Sequence, residues 1–196
     1  MTCIIGLIDK DAVFMGGDRC ESDGWSQRTL AIPKVFNLNG EFILGVSGKA
    51  RAVTLLRFGF KPPRQKEKQG DYEFISTDFA EAIRKRFKDG GIAEVKDNKE
   101  EVGASILIAY KGKLYKMDNL FYMQLVELGY EAAGGGKECA MGSLYSSKEA
   151  DPSKKILAAL KAAEYFCMGV RGPFDIKSMK FDDKKPSMVR PVKKGK

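Results

Sequence analysis

The chain opens on an apolar run. Residues 2 to 8 are rich in isoleucine and alternate only weakly, which predicts a strand with much of both faces buried. Asp9-Lys10-Asp11 reads as a turn, and residues 12 to 17 as a second strand ending at Gly16-Gly17, where backbone must come close to something. A hairpin of these two strands returns Asp18 to the Thr2 end. Residues 20 to 33 are polar and read as a loop with some extended character. From Lys34 the pattern alternates into Asn39-Gly40, the strongest hairpin signal in the sequence, and Glu41 to Val46 forms the returning strand. Ser47-Gly48 follows, and a helix begins near Lys49 with Val53, Leu56 and Phe60 on one face.

Lys61 to Asp71 contains Pro62-Pro63 and reads as a surface loop. Asp78 and Glu81 have capping-box spacing ahead of a helix marked by Phe79, Ile83 and Phe87. Residues 88 to 101 are charged and read as a loop. Strands are expected at 103 to 110, 114 to 117, 121 to 125 and 130 to 133. Gly134-Gly135-Gly136 leads to a helix over about 137 to 145. Asp151-Pro152 supplies an N-cap and a proline at the first helical position for a helix carrying Ile156, Leu160, Ala163 and Cys167. Residues 174 to 181 form the last expected strand. This order is not βαβ alternation. It predicts an α+β fold, a four-layer αββα sandwich of two antiparallel sheets flanked by helix pairs. One domain over residues 1 to 181 and a basic tail over 182 to 196 are expected.

Composition changes the picture in three ways. There is no histidine, which excludes Ser-His-Asp and Cys-His catalysis and His-ligated zinc. No metal or cofactor is called for. Proton transfer near neutral pH then needs another group, and an α-amine, with an ordinary pKa of about 8, is the obvious candidate. The net charge is +8, of which residues 177 to 196 carry +6. Such a tail can grip acidic partners, but it lacks aromatic interleaving and any nucleic-acid-binding fingerprint, so it reads as a solvated tail and nucleic acid is not an expected partner. Cys3, Cys20, Cys139 and Cys167 are widely spaced with no CxxC pair, and read as buried thiols. No apolar run is long enough to span a membrane, and no basic-then-apolar leader precedes the first strand. The expected location is the cytoplasm.

Four features converge on one chemistry. If Met1 is removed, Thr2 carries a hydroxyl and a free α-amine together, a nucleophile with its own base. Asp18 ends the neighbouring strand and Lys34 opens the next. Gly48 sits where a strand gives way to a helix, placing its N–H to stabilise an oxyanion. A lysine beside the hydroxyl favours the alkoxide, and an aspartate keeps that lysine oriented. Each residue alone has a plainer reading: a strand threonine, a surface lysine, a turn aspartate, a helix-entry glycine. Cys3 would be the nucleophile if two residues were lost. The triple glycine could suggest a phosphate cradle, but no GK[ST] or GxGxxG accompanies it.

The segments Thr2-Cys3-Ile4-Ile5-Gly6, Gly17-Asp18-Arg19, Pro33-Lys34-Val35-Phe36 and Gly45-Val46-Ser47-Gly48 share one constant register. In this the sequence resembles the proteasome β subunits and the bacterial HslV-type peptidase, within the N-terminal-nucleophile hydrolases. The resemblance implies that Thr2 is the nucleophile, Lys34 tunes it, Asp18 orients Lys34 and Gly48 N–H donates to the oxyanion. It implies that Ser22 pairs its backbone with an extended peptide. Glu21, Ile32, Val46, Ala50 and Thr54 would line the pocket for the residue before the cut. It also implies a homo-oligomeric ring, a peptide or unfolded-protein substrate, and an ATP-dependent unfoldase as partner. The family's Gly-Ser-Gly reads Gly134-Gly135-Gly136 here, and its later Asp-x-x-Ser-Gly reads as Phe166-Cys167-Met168-Gly169 or is displaced toward Gly169-Val170-Arg171-Gly172, with no acid at that step. A non-catalytic ring or scaffold subunit of the same fold, or a small-molecule amidase, are the alternatives.

Overall fold

The computed structural model describes residues 1–181; the expected basic tail, 182 to 196, lies outside them. Strands β1 (Ile4–Asp9) and β2 (Ala12–Asp18) form a hairpin, followed by a short ribbon of β3 (Cys20–Ser22) and β4 (Gln27–Thr29). β5 (Val35–Leu38) and β6 (Phe42–Gly48) form the second large hairpin. Its turn has Asn39 at φ 52° and Gly40 at φ 74°, the doubly left-handed geometry that an Asn-Gly pair adopts cheaply. Helix α1 (Ala50–Gly59) leads to α2 (Asp71–Phe74), a π turn (Ile75–Phe79) and α3 (Ala80–Asp89). There follow β7 (Ala93–Lys96), β8 (Lys99–Val102), β9 (Ala104–Tyr110), β10 (Lys113–Met117), β11 (Met123–Leu125) and β12 (Tyr130–Ala133). Helices α4 (Lys137–Ser146) and α5 (Pro152–Phe166) precede the last strand, β13 (Phe174–Lys180).

One sheet runs β12-β1-β2-β13 and the other β11-β10-β9-β6-β5, with antiparallel neighbours throughout. The apolar side chains sort into three layers. Ile4, Val13, Met15, Val35, Ile43, Leu107 and Leu114 pack between the sheets. Phe42, Leu56, Phe74, Phe79, Ile83 and Phe87 pack under α1 and α3. Ile5, Leu144, Ile156, Leu160 and Ala163 pack under α4 and α5. The molecule is therefore the expected αββα sandwich.

Three local expectations are corrected. Asp78 and Glu81 do not cap a helix, because the helical path starts at Asp71 and passes through them. A regular α-period from Phe74 would turn Asp78 toward the core. The π turn adds a residue, so Phe74 and Phe79 both bury, with ring centroids 6.1 Å apart. Asp78 instead faces Gln69 Nε2 at 2.8 Å. Residues 88 to 101 are not a plain loop but contain the β7–β8 hairpin, turned by Asp97 (φ 49°) and Asn98 (φ 59°). Its charged faces are tied down by Lys49–Glu94 and Arg84–Glu100 ion pairs. The strand expected from Phe121 starts at Met123, since Phe121 lies at φ 64° in a turn organised by Asp118, which accepts from Leu120 N and Tyr122 N. Among the described residues, no helix is long and apolar enough to cross a membrane.

Candidate active site

The β1–β2 register pairs Ile4 with Gly17, so the hairpin ends beside Thr2. A Cβ on Gly17 would sit 2.7 Å from Ile4 and 2.9 Å from Val35, and its absence lets β5 press against this end. Cys3 N–H donates to Asp18 Oδ1 at 2.8 Å, and Asp18 N–H to the Cys3 carbonyl at 3.3 Å. The first residues of the chain and the end of β2 are thus locked together by reciprocal bonds. Lys34 precedes β5 directly. Its carbonyl accepts from Val46 N–H at 3.1 Å. Arg57 of α1 donates to the Pro33 carbonyl at 2.6 Å and lies over the Phe36 ring, 4.6 Å from its centroid. Burial pushes the Arg57 pKa down.

These elements bring Thr2, Asp18 and Lys34 into one network. Lys34 Nζ donates to Thr2 Oγ1 at 2.8 Å, to Asp18 Oδ2 at 2.9 Å and to the Cys20 carbonyl at 2.5 Å. An ammonium has three donors, and all three are used. Lys34 Nζ is therefore held in one orientation by three acceptors. Asp18 Oδ2 also accepts from Cys20 N–H at 2.8 Å. Asp18 is fully buried, and Thr2 and Lys34 are each 5% exposed. A buried charge pair is tolerable only when its remaining hydrogen-bonding capacity is met, and here the backbone of Cys3 and Cys20 meets it.

Across from Lys34, Thr2 is held by the triple glycine. Its carbonyl accepts from Gly136 N–H at 3.2 Å, and a Cβ on Gly134, which has φ +96°, would collide with that carbonyl. With Met1 in place the Thr2 nitrogen is an amide, and Thr2 Oγ1 donates to the Met1 carbonyl at 2.7 Å. Met1 rests against Gly135 and Gly169, the latter so close that a Cβ there would overlap it. The turn of residues 167 to 170 carries no carboxylate.

A cavity of about 390 Å³ opens in front of Thr2 and Lys34. Glu21, Ser22, Ile32, Val46, Gly48, Ala50 and Thr54 all line it, as do Met1, Cys20, Leu30, Ala31 and Val53. Its walls are mainly apolar. Gly48 closes β6 at φ +100°, and a Cβ there would run into the Gly103 carbonyl oxygen. Only glycine fits this conformation and this contact together. Asp18 lies behind the cavity rather than on its wall.

A search of known structures returns close folds. Thiobacillus denitrificans BPH superposes with a TM-score of 0.78 at 16% identity, over 93% of this chain and 100% of that one. The same protein in complex with epoxomicin gives 0.78 at 15%, over 92% and 100%. Eukaryotic HslV from Trypanosoma brucei gives 0.67 at 19% identity, over 91% of this chain and 99% of that one. The chain has the proteasome-type N-terminal-nucleophile hydrolase fold. The Gly-1 mutant of Anbu from Hyphomicrobium sp. strain MC1 shares this proteasome-type fold, with a TM-score of 0.67 at 13% identity over 92% and 82%. No protein-family model matches the sequence, and no curated protein matches it.

Sequence reasoning missed Arg57, which braces both sides of Lys34, donating also toward the Val35 carbonyl at 3.4 Å. Its place at the end of α1 reads as an ordinary helix-terminal basic residue, so no sequence signal marks it. It also missed Cys20, whose carbonyl takes the third Lys34 bond. Burial, then the Asp18 charge, pushes the Cys20 thiol up. Leu30, Ala31 and Val53 were findable in principle, since each lies within two residues of a lining position that was named.

Proposed function

We propose that this chain is a threonine-type N-terminal-nucleophile peptidase that cleaves peptide bonds once Met1 is removed. The observation that carries the reading is the single Lys34 ammonium bridging Thr2 Oγ1 and buried Asp18 at the mouth of an apolar cavity. Removing Met1 frees the Thr2 amine and withdraws the carbonyl that now accepts from its hydroxyl. The amine, through a water, takes the hydroxyl proton. The oxygen attacks the scissile carbonyl while Lys34 stabilises its negative charge. Gly48 N–H donates to the developing oxyanion. The amine returns the proton to the leaving nitrogen, and water hydrolyses the resulting ester. Ser22 on β3 pairs with the substrate backbone. The apolar wall of Ile32, Val46, Ala50 and Thr54 favours an apolar residue before the cut, with Glu21 at the rim.

The fold shared with HslV and the BPH protein supports a homo-oligomeric ring acting on peptides or unfolded protein, with an ATP-dependent unfoldase as its partner in a cytoplasm. Residues 1 to 181 form the catalytic domain in this reading. The decisive test is turnover of fluorogenic peptides by Met1-free protein. Thr2→Ala is expected to abolish it, and undiminished cleavage by that variant refutes the assignment.

One observation favours a second reading, a non-catalytic ring subunit. The residue facing Met1 is Gly135 where the family has a serine, and Met1 packs over it with a prospective Cβ only 3.2 Å from its side chain. Native protein that keeps Met1 and has no turnover would establish that reading instead.

A further inference from the structure

The four cysteines are far apart in sequence, yet the fold gathers two of them. Cys139 sits in the first turn of α4, and Cys167 follows the last residue of α5. Their Sγ atoms lie 3.8 Å apart, both residues are partly exposed, and both are free thiols. The contact has structural reasons on both sides. Cys167 N–H bonds to the Ala163 carbonyl at 2.9 Å, ending α5, and its Sγ points toward the Gly135 carbonyl at 3.9 Å. α4 starts from the Gly134–Gly136 segment, with Ala140 N–H bonded to the Gly136 carbonyl at 3.1 Å. The two thiols therefore join the two segments that wall residue 1: the triple glycine through α4, and the 167 to 170 turn, whose Gly169 touches Met1. Nothing in the proposed hydrolysis uses either sulfur.

We propose that Cys139 and Cys167 are a dithiol modification site that closes to an intramolecular disulfide on exposure to a low-molecular-weight disulfide. In the first step one thiolate attacks the oxidant's sulfur–sulfur bond, giving a mixed disulfide and releasing one small thiol. The second thiolate then attacks the protein sulfur, forming the Cys139–Cys167 bond and expelling the second small thiol. The protein loses two hydrogens and the oxidant is reduced to two thiols. The sulfurs need only close from 3.8 Å to the roughly 2.05 Å of a disulfide. The staple fixes the first turn of α4 to the end of α5, next to the glycine segments that touch residues 1 and 2. Burial, followed by the contact with Cys139, pushes the Cys167 thiol up, so closure quickens as pH rises. The other two thiols serve as internal controls. Cys3 has no exposed surface, and burial together with Asp18, Cys167 and Cys139 pushes it up to about 12.

The test uses the full chain in oxidised glutathione, quenched with acid, alkylated and read by intact mass and peptide mapping. The expected result is protection of two thiols, a cross-linked pair of peptides holding Cys139 and Cys167, and closure on the order of tenfold faster per unit of pH below the thiol range. Cys139→Ser and Cys167→Ser should each leave a stable glutathione adduct on the remaining partner. Glutathione adducts accumulating on both cysteines of the unsubstituted chain, a bridge involving Cys3 or Cys20, or four freely alkylated thiols would each overturn the proposal. The cross-link is read without any catalytic assay, so it stands or falls separately from the peptidase assignment.

Discussion

Thr2 is held from two sides, and the two sides are built differently. On one, β2, β3 and the start of β5 supply a buried lysine, a buried aspartate and backbone donors, each with its partner. On the other, glycines supply shape and one backbone bond: Gly134 leaves room for the Thr2 carbonyl, Gly136 N–H donates to it, and Gly135 and Gly169 leave room for Met1. Charge thus comes from one wall alone, while the other is glycine backbone packed against residues 1 and 2. Substitutions on the first wall should therefore damage folding and chemistry together. Those on the second should change processing and rate with little effect on stability.

The sharpest contrast comes from Lys34→Met. It leaves Asp18 charged and buried without its ammonium, at a cost of about 3–5 kcal/mol, and turnover should fall by on the order of a thousandfold or more. Urea unfolding and peptide kinetics would measure the two effects. Adding Asp18→Asn, which removes the unpaired charge and keeps a backbone acceptor, should recover part of the stability and none of the turnover. Stability fully unchanged in Lys34→Met would erase the distinction between the walls. Next comes Gly48→Val, which places a branched side chain at φ +100° against the Gly103 carbonyl. Backbone strain of this kind costs roughly 1–3 kcal/mol before the clash is counted, and turnover should fall with it.

On the second wall, Gly135→Ser should shift stability by less than about 1 kcal/mol, because the nearest atoms to the new Cβ belong to the flexible Met1 side chain. In protein lacking Met1, the added hydroxyl should raise turnover. A fall would mean that this wall is not merely permissive. The smallest effect is expected far from both. Lys85 and Asp89 form an exposed i,i+4 pair at 3.2 Å, and Lys85→Gln should leave the unfolding midpoint and kinetics unchanged.

Much of this was legible in the residues, for identifiable reasons. Asn39-Gly40 and Asp151-Pro152 are local signals whose geometry depends on few neighbours; Asp151 indeed accepts from Lys154 N–H at 2.9 Å. The β1–β2 hairpin returns Asp18 to the Thr2 end by register alone, whereas Lys34 precedes a strand of the other sheet, and its meeting with them was implied by the family resemblance. The π turn was not legible, since it follows from burying both Phe74 and Phe79, a tertiary demand. The β7–β8 hairpin was obscured by charge, because its stabilising partners Lys49 and Arg84 come from other elements. Asp97-Asn98 was the local clue. Arg57 and the Cys139–Cys167 contact depend on helices packed from distant parts of the chain, and no spacing rule connects them.

The central claim is that the Thr2 oxygen, deprotonated by its own freed amine and stabilised by Lys34, attacks carbonyl-like electrophiles. The most direct measurement is an intact-mass spectrum of native protein before and after an epoxyketone probe, the class to which epoxomicin belongs. Loss of Met1 followed by one covalent adduct per chain, mapped to Thr2 and absent in Lys34→Met, is the predicted result. A chain that retains Met1, or that sheds it and still takes no adduct at Thr2, would contradict it.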